Sequence, residues 1–226
     1  DRTIKEEIEK GRIVIRPFNP ECVQPASVDI HLDNRLRVFR HWQSPHQIDL
    51  RQPLNGLTEE ITIAESHNFS LQPGQFVLGS TREYIKLPDD IMGRLEGKSS
   101  LGRVGLLIHS TAGYVDPGWE GHLTLELYNV CSMPIILWPE MKISQLSFHR
   151  LTTPAERPYG SKGLHSKYMG QESPTPTRYW QEFQSPSLLS LPSIAVKESI
   201  AAMLRRWLQG SEFHGSVKRF AEALGV

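Results

Sequence analysis

The sequence predicts a mainly β protein, an antiparallel barrel or jelly roll, and three observations support this fold class. Short apolar runs recur at near-regular spacing up to about residue 150. Turn-forming Pro, Gly, Asn and Asp separate the runs, as at residues 73–74, 88–90 and 116–118. Helical periodicity is confined to the two ends of the chain, and no repeated strand–helix–strand units are visible.

A short helix is predicted at the N-terminus. Thr3 and Glu6 have the spacing of a capping box. Ile4 and Ile8 share one face of the helix, and Gly11 is placed to end it.

Short strands are predicted to follow. Val28, Ile30 and Leu32 alternate with polar residues, which is the pattern of a strand with one buried face. Further strands are predicted over residues 36–38, 61–64, 75–78, 105–109, 123–128, 135–138 and 143–148.

The later part of the chain has a different character. Residues 152–192 are rich in Pro, Gly, Ser, Tyr and Lys without a clean period, so they form either a loose linker or an arm that closes on something. A helical period returns after them and predicts a pair of short helices. Their apolar face would consist of Ile200, Met203, Leu204, Trp207, Leu208, Val217, Phe220, Ala221 and Leu224. Composition and periodicity therefore mark changes near residues 152 and 193.

Composition excludes several classes of protein. With 25 basic and 25 acidic residues among 226, the formal net charge is zero, whereas a protein that binds duplex nucleic acid through many phosphate contacts needs a basic face. A small anionic ligand needs only a few well-placed cations. No run of about 18 apolar residues and no apolar leader is present, so we expect a cytoplasmic protein without a membrane span. Cys22 and Cys131 are expected to stay reduced.

Residues 93–99 resemble a phosphate-binding loop, but only three residues separate Gly93 from the Gly97-Lys98 pair, where that motif has four. We therefore reject the motif. Residues 98–103 still bring two cations and two hydroxyls together in six positions. This cluster fits either a polar turn between strands or an anion site.

A protein zinc site is not expected. The nine histidines form no His-x-His or His-x-x-x-His pair, and no Cys-x-x-Cys occurs. The signature of the zinc deaminases is absent as well.

The predicted strand around Glu126 shows strict alternation. Leu123, Leu125 and Leu127 are apolar, so Thr124 and Glu126 lie on the opposite strand face. That face either meets water or lines a site in which Glu126 acts as a base. Periodicity alone favours the solvent-facing interpretation.

Several longer motifs together resemble the dCTP deaminase family within the dUTPase-like superfamily. They are Gln24 to Asp29, Gly97 to Arg103, His109 to Trp119, Leu125-Glu126, Met141 to Leu146, Arg157 to Gly160, Ser166 to Gln171 and Pro174 to Pro176. The match runs in order from residue 1 to about residue 184, without large gaps. It implies a domain over residues 1–184, with 152–184 as an arm that closes on the site, and leaves residues 185–226 as a helical extension.

This resemblance implies a distorted jelly roll that assembles as a homotrimer, with nucleotide sites between subunits. It implies dCTP and dUTP as substrates, Mg²⁺ bound through the nucleotide triphosphate rather than by protein side chains, and no zinc. Feedback by dTTP is a further expectation from the family, whereas nucleic acid and membrane partners are not expected.

The resemblance also assigns roles in the reaction. Glu126 would be the general base and acid. Ser99 and the backbone near Ala112 would position the catalytic water and the amino group, and Arg103 would keep Glu126 ionised. Asp116 would take the deoxyribose 3′-hydroxyl.

The remaining substrate-binding residues fall into three groups. The loop that holds the triphosphate comprises Lys98, Ser99, Ser100, Leu101, Gly102 and Arg103. The pyrimidine edge would be read by Thr124, Leu125 and Glu126. The residues that would close over the phosphates are Gln145, Tyr159, Lys167 and Gln171.

The family divides into members that stop at dUTP and members that also cleave it to dUMP and pyrophosphate. Lys98 stands where the deaminase-only branch typically has Arg, and Gly113 with Tyr114 stands where that branch has bulkier, basic residues. Gly113 would leave room for a second water beside the phosphate chain. We therefore expect a bifunctional, dUMP-forming enzyme. A deaminase that releases dUTP, a plain dUTPase and a non-catalytic nucleotide-binding regulator are the alternatives.

Two features depart from the family pattern. Glu140 stands where the family commonly has Gly, which costs about 1 kcal/mol if the turn needs a positive φ and nothing in a type I turn. Residues 185–226 extend past the usual end of the family. They form either a helical cap on the trimer or an element that binds a partner or regulates the enzyme.

Overall fold

The computed structural model describes residues 1–40, 48–53, 56–109 and 111–184. Its strands are Val14–Arg16 (β1), Ser27–Phe39 (β2), Thr58–Thr62 (β3), Phe69–Leu71 (β4), Phe76–Lys86 (β5), Ile91–Gly97 (β6), Leu106–Leu107 (β7), Tyr114–Val115 (β8), Glu120–Asn129 (β9), Ile135–Leu137 (β10) and Lys142–Arg150 (β11). Its α-helices are Arg2–Glu9 (α1) and Ser99–Gly102 (α2), and its 3-10 helices are Pro20–Cys22 and Tyr179–Gln184. One compact unit spans Asp1–Trp180, and the chain from Gln181 to Val226 forms a second.

Nine strands form one antiparallel sheet. Its order is β7-β9-β5-β2-β11-β6-β8, while β1 pairs with β5, β3 pairs with β2, and β10 with β4 makes a separate two-stranded sheet. The ladders shift register between Leu32 and Leu36, between Ser80 and Tyr84, and between Lys142 and Ser144. Such irregularities increase twist and curl a sheet. The predicted mainly β, antiparallel fold is confirmed.

The core lies against the apolar face of the central strands, as the alternation predicts. On β2, Val28, Ile30 and Leu32 are almost completely buried. Along β9 every second residue is buried, so Leu125 faces the core while Glu126 is half-buried on the other face. The strand of strict alternation predicted around Glu126 is therefore confirmed.

Several details of the predicted elements were wrong: the short strands β1, β4 and β8 were not predicted, and β3 begins three residues before the predicted 61–64. Helix α1 begins at Arg2 with Asp1 as its N-cap, two residues earlier than the capping box at Thr3 suggested. Gly11 does adopt the left-handed conformation expected after the helix, with φ of 67°. Strand β6 was missed because its core-facing positions include Gly93. A Cβ on Gly93 would lie 3.1 Å from the Leu146 side chain, so tight packing there requires the residue that hides the apolar period.

An ion-pair network fixes the N-terminal helix to the sheet. The Arg12 guanidinium donates to Glu7 of α1 at 2.6 Å and to Asp90, before β6, also at 2.6 Å. Arg150 at the end of β11 donates to the second oxygen of Glu7 at 2.8 Å. The hydrogen bonds from Arg12 hold the pKa of both carboxyls below their usual range. Their ionised state therefore supports the fold at neutral pH.

No helix in the described part of the chain is long and apolar enough to cross a membrane. The predicted C-terminal helices over residues 185–226 lie outside the described residues.

Glu140 adopts a left-handed backbone with φ of 65°. Its amide donates to the carbonyl oxygen of Leu32 at 2.8 Å, which fixes the turn, and its exposed carboxylate lies 3.3 Å from Arg82. The turn therefore has the positive φ that disfavours a residue with a Cβ.

Glu140→Gly should raise the free energy of unfolding by about 0.5–1 kcal/mol, because relief of left-handed strain exceeds the entropy that glycine adds to the unfolded chain. Chemical denaturation of both proteins measures the difference. Glu140→Ala is the matched control, since it removes the carboxylate and keeps the strain. Equal stability of the Gly and Ala variants would contradict the expectation.

Candidate active site

A cavity of about 720 Å³ opens between β9, the segment that precedes β8, and the arm. Its floor is apolar and comprises Leu78, Leu95, Val115, Trp119 and Leu123. Its polar lining includes Asp116, Thr124, Glu126, Lys167 and Gln171. Apolar floors with a few convergent polar groups are typical of small-molecule sites.

Glu126 reaches this cavity because of its position on β9. It pairs across the sheet with Leu78 of β5, and its amide donates to the carbonyl oxygen of Ile108 at 2.9 Å. Backbone pairing on both sides fixes the direction of its side chain, which lines the cavity together with Ala112 and His109. The interpretation of this strand face as a site is favoured over the solvent-facing one.

A tight turn carries Asp116 to one end of the cavity. The Trp119 amide donates to the Asp116 carbonyl at 3.1 Å, and the Tyr159 amide donates to the Pro117 carbonyl at 2.8 Å. Gly118 has φ of 86°, and a Cβ there would lie 2.6 Å from Pro158, so only glycine fits between the turn and the arm.

Tyr159 closes the same end of the cavity. Its ring lies 5.4 Å from the Trp119 ring, and its hydroxyl accepts a hydrogen bond from the Tyr168 amide at 3.0 Å. Burial, with a smaller contribution from the negative charge of Asp116, raises the pKa of Tyr159 above its usual value. The phenol therefore stays neutral at physiological pH and can donate its proton to a ligand oxygen.

The arm is held against β9 by two backbone hydrogen bonds. The His122 amide donates to the Gln171 carbonyl at 2.9 Å, and the Gly170 amide donates to the Glu120 carbonyl at 2.8 Å. The Gln171 side-chain amide donates to the His122 carbonyl at 2.6 Å and to the Thr124 hydroxyl at 3.0 Å. Gln171 thus joins the arm to Thr124 on the cavity wall.

The loop expected to hold the triphosphate lies elsewhere on the chain. Residues 98–103 form the short helix α2 and its flanks, with Ser99, Ser100 and Arg103 exposed. Gln145 lies on β11. Among the described residues of one chain, neither this loop nor Gln145 lines the cavity that contains Glu126. The predicted site residues therefore form two groups.

The surroundings of Leu125 and Gly113 limit the roles that the sequence predicts for them. The Leu125 side chain is fully buried in the core, so only its backbone is available to a ligand. A Cβ on Gly113 would lie 2.8 Å from the Leu95 carbonyl oxygen. Gly113 therefore permits close approach of its segment to β6, rather than simply leaving space for a second water.

Sequence reasoning missed several residues that line the cavity. Both ring nitrogens of His109 are shielded from solvent and have no hydrogen-bond partner among the described residues. Phe39 and Phe76, whose rings lie 5.6 Å apart, form one wall. Trp119 also lines the cavity, and the glycine-rich sequence around it could have indicated this. Nothing local marks the two phenylalanines, since only the pairing of β2 with β5 brings them together.

The comparisons with known proteins agree with this architecture. A family model described as dCTP deaminase-like matches residues 1–151. The chain belongs to the dCTP deaminase-like family. Two relatives named dCTP deaminase, dUMP-forming, from Mycolicibacterium vanbaalenii and Mycolicibacterium paratuberculosis, are each 56% identical over 183 residues, which is 81% of this chain and 96% of the relative.

A solved structure of 2′-deoxycytidine 5′-triphosphate deaminase from Agrobacterium tumefaciens has the same fold. It superposes with a TM-score of 0.52 and 23% sequence identity over 66% of this chain. The match spans 47% of that structure's chain, so about half of its length has a counterpart here.

No group of three or more His, Cys, Asp or Glu side chains among the described residues is arranged to hold a metal ion.

Gln171→Ala should loosen the arm, because it removes two hydrogen bonds that join the arm to β9. We expect cleavage within residues 152–184 by a broad-specificity protease to accelerate several-fold, which corresponds to about 1 kcal/mol of local stability. Timed proteolysis followed by mass spectrometry measures this. Gln72→Ala is the control, since the Gln72 amide bonds only within an exposed turn. An unchanged cleavage pattern in Gln171→Ala would show that the backbone pairing alone holds the arm.

Proposed function

We propose that this chain hydrolyses dCTP to dUTP and ammonia and then cleaves dUTP to dUMP and pyrophosphate, which supplies dUMP for thymidylate synthesis. The observation that supports this most directly is Glu126, a carboxylate fixed by strand pairing over the apolar floor of a nucleotide-sized cavity. The names of the relatives that match over 96% of their length support the same reaction.

The first reaction needs water to add at C4 of the cytosine ring and ammonia to leave. Glu126 is placed to take a proton from that water and to return it to the departing amino group. This carboxylate route requires no zinc. Ser99 and the backbone near Ala112 are proposed to orient the water and the amino group, and Arg103 balances the charge of Glu126.

Residues at both ends of the cavity are proposed to recognise the substrate. Asp116 is proposed to accept the deoxyribose 3′-hydroxyl, and Thr124, whose hydroxyl is oriented by Gln171, to read the pyrimidine edge. Tyr159 and Lys167 of the arm would contact the phosphate chain. Mg²⁺ would reach the site with the nucleotide and would offset part of the charge of its phosphates.

The two groups of site residues support a site shared between subunits. On one chain, residues 98–103 lie outside the cavity that holds Glu126. We propose that a homotrimer brings this loop of one subunit to the cavity of the next. Exposed apolar side chains beside the loop, Val104 at 52% and Leu107 at 39%, fit burial in such an interface. Control of the trimer by dTTP is part of this proposal.

The second reaction is proposed from three residues. Lys98, Gly113 and Tyr114 carry the pattern of the dUMP-forming branch, and the two named relatives are dUMP-forming. The close approach of Gly113 to Leu95 sets the path of the segment that leads to Tyr114. Because nucleoside triphosphates are held inside the cell, we expect the protein to act in the cytoplasm.

A time course with dCTP and Mg²⁺ tests the proposed function. We expect ammonia, dUMP and pyrophosphate to rise together, as followed by phosphorus-31 NMR and an ammonia assay. Glu126→Gln should reduce ammonia release by at least about 10²-fold while dCTP still binds.

Each alternative has its own outcome in this experiment. Accumulation of dUTP without pyrophosphate would identify a deaminase alone. Pyrophosphate from dUTP without ammonia from dCTP would identify a dUTPase. Binding of dCTP without either product would identify a non-catalytic regulator.

Deleting the chain after Gln184 should leave ammonia release per site unchanged, since residues 1–184 are proposed to be the complete enzyme domain. Activity and mass by light scattering are measured at the same concentration. A trimer that dissociates on deletion would identify residues 185–226 as a cap. An intact trimer with lost or altered activity would contradict the proposed boundary and identify a regulatory element.

A further inference from the structure

Asp29 lies buried on β2 with three side chains around its carboxylate. The Lys98 ammonium donates to one carboxylate oxygen, and the Lys142 ammonium lies 3.4 Å from the other. The Gln24 side-chain amide donates to that second oxygen at 3.4 Å. The side chain of Asp29 is only 4% exposed. One buried carboxylate thus joins two lysines that come from different strands or loops.

The two lysines are much more accessible than the carboxylate between them. Their side chains are 25% exposed for Lys98 and 45% for Lys142. A ligand that approaches this surface therefore meets two ammonium groups, while the compensating negative charge lies beneath them. The three groups together carry a net charge of one positive unit, which favours an anion.

This surface coincides with the second group of predicted site residues. Lys98 is the N-cap of α2 and begins the loop expected to hold the triphosphate. Gln145, another expected phosphate ligand, pairs directly with Asp29 across β2 and β11. Lys142 begins the same strand β11. Lys142 therefore joins Lys98 and Gln145 as a third polar group on this surface. The family resemblance assigns no role to Lys142.

We propose that Lys142 is a further binding residue for the phosphate chain of the substrate and that Asp29 is a positioning residue for both lysines. Without the carboxylate, two neighbouring ammonium groups would repel each other and separate. With it, both ammonium groups are held beside one carboxylate, and two cations on one surface can contact more than one phosphate of a chain. The inference rests on the proposed function for the identity of the substrate, and its ligand class is a polyphosphate.

Inorganic tripolyphosphate is the probe, with binding to the full chain measured by calorimetry. Lys142→Met, which keeps length and removes charge, should weaken binding about tenfold, since a charge-assisted hydrogen bond is lost. Lys142→Arg should restore affinity to within about twofold. Lys10→Met, an exposed lysine just after α1, is the matched control and should have no effect.

Steady-state kinetics with dCTP separates binding from structure. Lys142→Met should raise KM about tenfold and leave kcat nearly unchanged. If Lys142 had only a structural role, the substitution would change the free energy of unfolding but not the ratio of KM to kcat. Unchanged tripolyphosphate affinity in Lys142→Met would overturn the proposal. If wild-type protein binds tripolyphosphate through Lys142 and yet releases no ammonia from dCTP, the proposed function fails while the cation site stands.

Asp29→Asn distinguishes positioning from simple neutralisation. It increases the positive charge of the surface, so charge alone predicts tighter binding of tripolyphosphate. Positioning predicts weaker binding, because the ammonium groups lose their shared anchor. Tighter binding would overturn the role assigned to Asp29. If this buried substitution prevents folding, the exposed Lys142 variants still decide whether the cation site exists.

Discussion

The two-residue period of β9 is the constraint on which the site depends. Its buried positions, among them Leu123, Leu125 and Leu127, tie the strand to the core. The alternate positions must then face away, which fixes Thr124 and Glu126 on one wall of the cavity. A shift of one residue in the register of β9 would send Glu126 into the core and three leucines towards solvent. Core packing and the placement of the proposed base are therefore one structural requirement.

The edge of β9 extends this requirement to the arm. Strand β7 pairs with β9 at Tyr128 and Asn129. It does not reach the stretch from Glu120 to His122 on the same edge. The arm occupies this stretch through Gly170 and Gln171. Residues 152–184 contain too few apolar residues to form a core of their own, so their order depends on the edge that β9 offers. The strand that carries Glu126 also positions the segment that closes over it.

Periodicity predicted much of the fold and of this wall, because alternation is local. The strands β2, β9 and β11 and the outward direction of Glu126 all follow from it. Strand β6 was missed, since Gly93 replaces an apolar side chain where Leu146 packs closely. The aromatic pair of Phe39 and Phe76 and the contact of Lys142 with Asp29 were missed for another reason. Each joins residues far apart in sequence, and only strand pairing brings them together.

The chain has zero net charge, but the cavity around Glu126 and the lysine surface around Asp29 differ in physical character. The cavity around Glu126 has an apolar floor, which suits the flat face of a pyrimidine. The surface around Lys98 and Lys142 concentrates positive charge, which suits the phosphate chain. Separating the two surfaces along the chain would let phosphate binding energy, remote from C4, orient the pyrimidine over Glu126. A site completed between subunits would achieve this, since it would set the two lysines and the proposed base at opposite ends of one extended nucleotide.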